Sequence, residues 1–405
     1  MDESLHRSAE LFQYIKPFMN EKETMHSAQE NTANFIEYRD KVLNLLNGTQ
    51  ENFDSWKWQL AHRFTSVDLL SKVLSLEADE LLEIEESIKH HRMAISPFSL
   101  ARLASFGAPL AKQFLPSILE IRNENFGELD PMAEEKTSPV PHITQRYPDR
   151  VILKVTNICG SYCRFCQRRR EHGSTDLHVP VNDLEPAFDY IKQHPEIRDI
   201  LVTGGDPLTL SDTQLDKILL ELRQIPSVEI IRIGTRMPVV IPQRFTPSLM
   251  EILRKYAPIY INIHVNHPLE VSPEMQEACR RLLLSCAILG SQTVLLKDVN
   301  DDPIVLRYLF QLLLKIGVKP YYLFHAKDIA GTKHFRTPVA QGVDLIKSLR
   351  GVTSGLAIPH FVVNLPGGLG KVSLAPSALV SDFENNPILF KNWEGKTVPY
   401  PNNNY

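Results

Sequence analysis

Cysteine is scarce in this chain. Five residues in 405, with three of them inside one stretch of eight, are too few and the wrong number for a disulfide framework. Excess charge of either sign is lacking too. Against 48 acidic residues stand 44 basic ones, a formal net charge of −4, so neither nucleic acid nor an anionic membrane is an expected partner. No run reaches the 18 or more apolar residues of a membrane span. The opening residues, MDESLHRSAELFQYIKPF, are acidic and carry no long apolar core, so no secretory signal is expected. A reducing cytoplasm is the expected location. What the chain does have is 43% hydrophobic residues, enough for a full core in two or three domains, or in a barrel with an extension.

Residues 1–140 read as a helical region. SVDLLSKVLSLEADELLEIEESIKHHRMAI has apolar residues at helical spacing, with Ser66 as an N-cap. No repeat and no catalytic constellation stands there, and the expected role is a helical cover or an oligomerisation layer. A loop rich in charge and proline, MAEEKTSPVPHITQRYPDR, leads into a second region, 141–375. There VILKVTN (151–157), DILVTGG (199–205), VEIIRIG (228–234), YINIHV (260–265), TVLL (293–296) and PYYLF (320–324) read as strands, with FVVNL (361–365) as a further one. Amphipathic segments such as LDKILLELRQI lie between them. Strand and helix in alternation predict an α/β fold, a parallel barrel or open sheet, with its chemistry at the carboxyl ends of the strands. Residues 376–405 read as a short tail.

TNICGSYCRFC follows the first of these strands. Cys159, Cys163 and Cys166, spaced C-x3-C-x2-C, can hold a [4Fe–4S] cluster and leave its fourth iron open to a small molecule. A structural zinc site calls for four ligands, usually as paired C-x2-C units. Cys279 and Cys286 read as core thiols on a distant helical segment. This spacing, with an aromatic before the last cysteine, resembles the radical S-adenosylmethionine superfamily. TGGDPL follows the second strand, and Gly204, Gly205 and Asp206 resemble that superfamily's motif for the methionyl amino group. His264 and Gln292, at the ends of the fourth and fifth strands, are weaker candidates for the same ligand. NLPGGLGK fails as a phosphate loop of the G-x4-G-K-[ST] kind, because Leu365 and Val372 stand at required positions. It leaves Lys371 on a flexible loop, suited to a Schiff base with pyridoxal phosphate; a solvated turn lysine is the plainer alternative.

RYPDR (146–150), TNICGSYCRFCQRRR (156–170), TGGDPL, RIGTRMPVV (232–240), INIHVNHP (261–268), PYYLF, HFRTP (334–338) and PGGLGK (366–371) together closely resemble the lysine 2,3-aminomutase family, from about Trp56 to Trp393. The resemblance implies a partial (β/α)6-type barrel using a [4Fe–4S] cluster, S-adenosylmethionine and pyridoxal phosphate to move an amino group between adjacent carbons. It implies that Cys159, Cys163 and Cys166 bind the cluster and that Lys371 carries the pyridoxal phosphate. It further implies that Arg168 pairs with the substrate α-carboxylate, and that Arg146, Tyr147 and Arg150 line the pyridoxal phosphate. A flavodoxin or ferredoxin as electron donor and a homo-oligomeric assembly are expected with it. Arg169 and Arg170 read as a solvated basic turn.

Three departures from the family pattern stand out. Phe165 replaces a histidine and remains aromatic. The cysteine-rich tail that binds zinc is missing, so no zinc is expected. Where lysine-specific members hold the distal ammonium with two aspartates, this chain has Lys327 and Asn364. A cation and an amide suit a distal carboxylate and oppose an ammonium. Asp328 restores the ammonium reading only if the alignment slips by one residue. The expected reaction is therefore the interconversion of L-glutamate and β-glutamate (3-aminoglutarate), a radical 1,2-amino migration. The rivals are a lysine-specific or lysine-modifying aminomutase and a non-catalytic iron–sulfur protein.

Overall fold

A computed structural model describes residues 2–30, 32–385 and 387–401. The strands are β1 (Ile143–Tyr147), β2 (Arg150–Thr156), β3 (Asp199–Gly204), β4 (Ile230–Thr235), β5 (Ile259–His264), β6 (Ala287–Leu295), β7 (Lys319–His325), β8 (His360–Asn364), β9 (Lys371–Leu374), β10 (Ile388–Lys391) and β11 (Thr397–Tyr400). The first nine form one sheet in chain order, β2 to β8 parallel, with β1 and β9 antiparallel at the two edges. Six crossover helices, from Glu185–Gln193 to Val339–Leu349, join the seven parallel strands. This is the (β/α)6 plan with one further strand. Strand edges β1 and β9 share no hydrogen bonds, yet Lys371 Nζ on β9 lies 5.4 Å from the Tyr147 ring on β1. The sheet has therefore curled into a barrel with an open seam.

Local chemistry sets the helix starts. Thr246-Pro247, Ser272-Pro273 and Asp302-Pro303 each put a capping oxygen before a proline at the first helical position, where its missing N–H costs nothing. Outward faces of the strands and inward faces of these helices supply the main core, including Ile231, Ile261, Leu282 and Leu309. Among the described residues no helix is long and apolar enough to cross a membrane.

The structure corrects several sequence expectations. Helices of the N-terminal region end at Arg122, and 123–142 is an irregular strap ahead of β1. The long amphipathic stretch beginning at Ser66 is two helices, Val67–Ser71 and Ala78–His90, and Ser66 sits at the N-cap without making a side-chain cap. The fifth parallel strand starts at Ala287, six residues before the TVLL segment, because SQ inside it hides its alternation. The tail is not featureless, since β10 and β11 pair as a hairpin. Cys279 is buried in the helix Pro273–Leu284, but Cys286 lies beyond that helix at positive φ and is exposed, so it is no core thiol.

Candidate active site

Strand alternation builds the site. Successive inward positions two residues apart, such as Arg232 and Gly234 on β4 or Asn262 and His264 on β5, face one cavity of about 310 Å³. All fifteen residues expected to form the site line that cavity. Tyr321 and Tyr322 both reach it although they are adjacent, because the β6–β7 register slips at this point and turns the extra residue inward.

Cys159, Cys163 and Cys166 stand on the loop after β2. Cys163 Sγ accepts from Arg236 Nη1 at 2.6 Å, and Cys166 Sγ faces the Arg168 amide at 3.4 Å. Burial pushes all three thiols up, Cys166 to about 11, so binding of iron must displace protons. The loop is held from outside by the N-terminal helices. Arg63 Nη1 donates to Cys159 O at 2.8 Å, Tyr162 N to Ala94 O at 2.8 Å, and Arg164 N to Gln113 O at 2.9 Å. Glu120, buried, receives Arg164 through both carboxylate oxygens and also Arg169. Arg169 is therefore a buried strut rather than a solvated turn residue.

The glycine motif serves the same loop. A Cβ on Gly205 would stand 2.4 Å from Ile158 O, and one on Gly204, at φ 119°, would stand 2.4 Å from Thr156 O. The close approach that requires glycine is thus to the backbone leading into the cysteine loop. Asp206 is committed as well: its carboxylate accepts from Thr235 Oγ1, Arg236 N and Leu208 N. Burial raises it to about 6, against those hydrogen bonds. His264 and Gln292 sit side by side in the β5–β6 pairing, and burial, then Arg236, keeps His264 well below its usual range and neutral.

Two hairpins flank the open seam. Pro148 and Asp149 turn β1 into β2, pairing Tyr147 with Arg150, and a bulge between Gln145 and Tyr147 re-aims Arg146. Arg150 stacks on Tyr147 at 4.2 Å. Across the seam, Gly367, Gly368 and Gly370 all take positive φ in the turn that joins β8 to β9. Lys371 is thus not on a flexible loop; it opens β9 directly opposite Asn364. Its accessible surface faces the cavity, where burial and the charges of Arg232, Arg150 and Arg146 press its ammonium down to about 8, with Asp199 opposing.

Lys327 Nζ has no hydrogen bond or ion pair among the described residues, and Asn364 Nδ2 is a buried donor without a partner. Burial, then Arg168 and Arg146, holds the Lys327 ammonium well below its usual range, opposed by Glu134. Asp328 points away, exposed and paired with Arg336 at 2.8 Å. The alternative in which Asp328 takes the place of Lys327 in the cavity is therefore not what the chain adopts. Arg168 lines the cavity but already gives Nε and Nη2 to Glu134, at 3.0 and 2.9 Å.

Residues 153–283 match the model of the radical SAM superfamily, and 346–405 match the model described as lysine-2,3-aminomutase. The glutamate 2,3-aminomutase of Clostridioides difficile is 45% identical over 397 residues, 98% of this chain and 94% of the relative. The chain belongs to the lysine 2,3-aminomutase family of radical SAM enzymes. An L-lysine 2,3-aminomutase of Fusobacterium nucleatum is 45% identical over 356 residues, 87% of this chain and 84% of the relative. Another, from Clostridium subterminale, is 42% identical over 351 residues, 86% and 84% of the two chains. This aminomutase is an isomerase whose family implies a [4Fe–4S] cluster and S-adenosylmethionine.

The residues present fit both groups and a phosphate-bearing cofactor. Three free cysteines share one cavity wall, and the two remaining cysteines lie elsewhere, which leaves an open position on a cluster. Beside Lys371, Arg146 Nε is a buried donor without a hydrogen-bond partner, and Arg150 Nε has only an ion pair with Asp149 at 3.4 Å, which suits an anion there. Sequence reasoning missed Glu134, Arg232, Arg236 and Asn262. Arg232, Arg236 and Asn262 lay inside quoted motifs, yet only the folded β4, the turn after it and β5 place them at the cavity. Glu134 gave no signal at all, being one of two glutamates in a charged loop.

Proposed function

We propose that this aminomutase interconverts L-glutamate and β-glutamate. One observation carries the reading: the cavity that holds Lys371 and Arg168 also holds Lys327, whose amine has no protein partner among the described residues and which a bound carboxylate would hold as a cation, and an unpaired amide donor, Asn364 Nδ2. A distal carboxylate would satisfy both, one by a charge-assisted bond and one by a neutral one. A distal ammonium would meet Lys327 with the same sign in a site with little water.

When bound, the cluster and S-adenosylmethionine supply a hydrogen-abstracting radical, and pyridoxal phosphate supplies the carbonyl through which an amino group migrates. The chain's own residues do the rest. Lys371, its ammonium lowered toward neutrality, presents an amine able to condense with that carbonyl. Arg146 offers an unbonded Nε to the phosphate, Arg150 adds a second guanidinium that is paired only with Asp149 at 3.4 Å, and Tyr147 lies beside Lys371. Arg168 receives the α-carboxylate, Lys327 and Asn364 the γ-carboxylate, so that Cα and Cβ are fixed between them. Cys159, Cys163 and Cys166 bind the iron, while Gly204, Gly205, His264 and Gln292 border S-adenosylmethionine. Asp206 acts behind them, through Thr235 and the Arg236 amide.

The test is an anaerobic product assay offering glutamate, lysine and aspartate side by side. β-Glutamate as the main product supports the reading. Preferential turnover of lysine would remove the substrate assignment and leave the family membership untouched.

A further inference from the structure

The strap 123–142 crosses the open side of the barrel and is pinned wherever it passes the site. Glu128 N donates to Asp328 O at 3.1 Å and Ala330 N to Glu128 O at 3.1 Å, on the loop that carries Lys327. Gly367 N donates to Pro131 O at 3.0 Å, on the turn that leads to Lys371. A Cβ on Gly368 would stand 2.8 Å from Met132 O, so the strap and that turn are in van der Waals contact. Just past these pins the strap buries an acidic side chain, Glu134, 2% exposed.

Glu134 grips Arg168 by two parallel bonds, Nε to Oε2 at 3.0 Å and Nη2 to Oε1 at 2.9 Å, and takes Arg146 Nη2 on Oε1 at 2.5 Å. Lys154 Nζ lies 4.0 Å from Oε2 and is itself satisfied by Glu171 at 2.9 Å. A guanidinium held along its Nε–Nη2 edge cannot rotate, and Nη1 is the nitrogen left without a protein partner among the described residues. Without Glu134, Arg168, Arg146 and Lys327 would face one another with no buried anion between them.

We propose that Glu134 is the positioning residue of the α-carboxylate site: it fixes Arg168 so that Nη1 meets the substrate, and it balances the neighbouring cations. The strap is then part of the substrate site, joining the loop of Lys327 and the turn of Lys371 to the orientation of Arg168. The proposal rests on the functional reading above only in making Arg168 the receiver of the α-carboxylate, which glutamate and lysine share.

The experiment is a double-mutant cycle of Glu134→Gln and Arg168→Gln in the full-length enzyme, reconstituted with iron and pyridoxal phosphate. Two quantities are read: KM and kcat, and calorimetric binding of the amino acid in the absence of S-adenosylmethionine. Glu134→Gln is expected to weaken amino-acid binding and raise KM by about tenfold, with a smaller change in kcat. The double variant is expected to bind no worse than Arg168→Gln alone. Unchanged binding in Glu134→Gln, or losses that multiply in the double variant, would overturn the proposal. Tighter binding would overturn it too, because Glu134 would then be a competitor of the substrate. If Glu134→Gln does not fold, Glu134→Asp, which keeps the charge but shortens the reach, is carried through the same cycle with the same expected signs. Should wild type prefer lysine, the cycle is run with lysine: the glutamate reading has then failed, and the Glu134 proposal is still decided.

Discussion

On the proposed reading, substrate choice comes down to the sign of one charge. Lys327 is expected to determine it, and Lys327→Asp to lower kcat/KM for glutamate by about 2–5 kcal/mol in transition-state binding, as for breaking a buried charged contact. Adding Asn364→Asp recreates a diacidic pocket, and lysine turnover is then expected to rise relative to Lys327→Asp. Assays of both variants with both amino acids check this, and undiminished glutamate turnover in Lys327→Asp would remove Lys327 from the site. Lys371 yields a second expectation. Burial and three arginines bring its ammonium to about 8, so the neutral amine grows as pH rises from about 7 to 9. The pyridoxal phosphate that borohydride fixes on Lys371 in short exposures should grow over that range. In Arg232→Ala the midpoint should move upward, because a cation that disfavours the ammonium is gone. A flat profile, or a downward move, would contradict the field described here. Both residues were legible in the sequence. What was not legible is their surroundings: Glu134 meets Arg168 across 34 positions, and nothing in the strap's composition separates it from Glu135.

At the scale of elements, the strands that were readable were those with apolar alternation or apolar runs. β1 (ITQRY) and β9 (KVSL) were not, being short, polar and at the sheet edges, where half their backbone groups lack ladder partners. Yet these two edges carry Arg146, Tyr147 and Lys371. Glycines show another case, with their positions legible and one purpose, the close approach to the backbone of the cysteine loop, unread. Gly205 is expected to be intolerant of even a methyl group, since its Cβ would meet the backbone of Asn157 and Ile158 within 2.7 Å. Gly205→Ala should cost about 1–3 kcal/mol of stability by overpacking and should lower the iron retained per chain. Thermal melting and iron analysis after anaerobic reconstitution check it. Normal melting with normal iron would mean that the cysteine loop can shift freely.

Across the whole molecule, the N-terminal helices and the barrel meet at the cysteine loop. No catalytic constellation was visible in residues 1–140; the helices there supply partners to the backbone and arginines of the cysteine loop. Glu120, with Arg164 and Arg169, is a fully buried ionic junction among these. Glu120→Gln leaves two buried guanidinium groups short of an anion and is expected to destabilise the fold by about 3–5 kcal/mol. Urea unfolding checks the magnitude, and a midpoint equal to wild type would show that the junction is dispensable.

The cysteine spacing, the alternation of strands and helices, and the places of Lys327 and Asn364 among the surrounding motifs are all local or ordered patterns, which a linear text preserves. They were enough for the superfamily, the barrel and the expected substrate. The commitment of Asp206 to Thr235, the exclusion of Asp328 from the cavity, the pairing of Asn364 with Lys371 and the grip of Glu134 on Arg168 were beyond reach. Each depends on which groups remain unsatisfied after the sheet has curled and the strap has crossed its seam. Hydrogen-bond capacity left over in a buried space is a property of the packed chain, since every candidate partner comes from a different strand or loop.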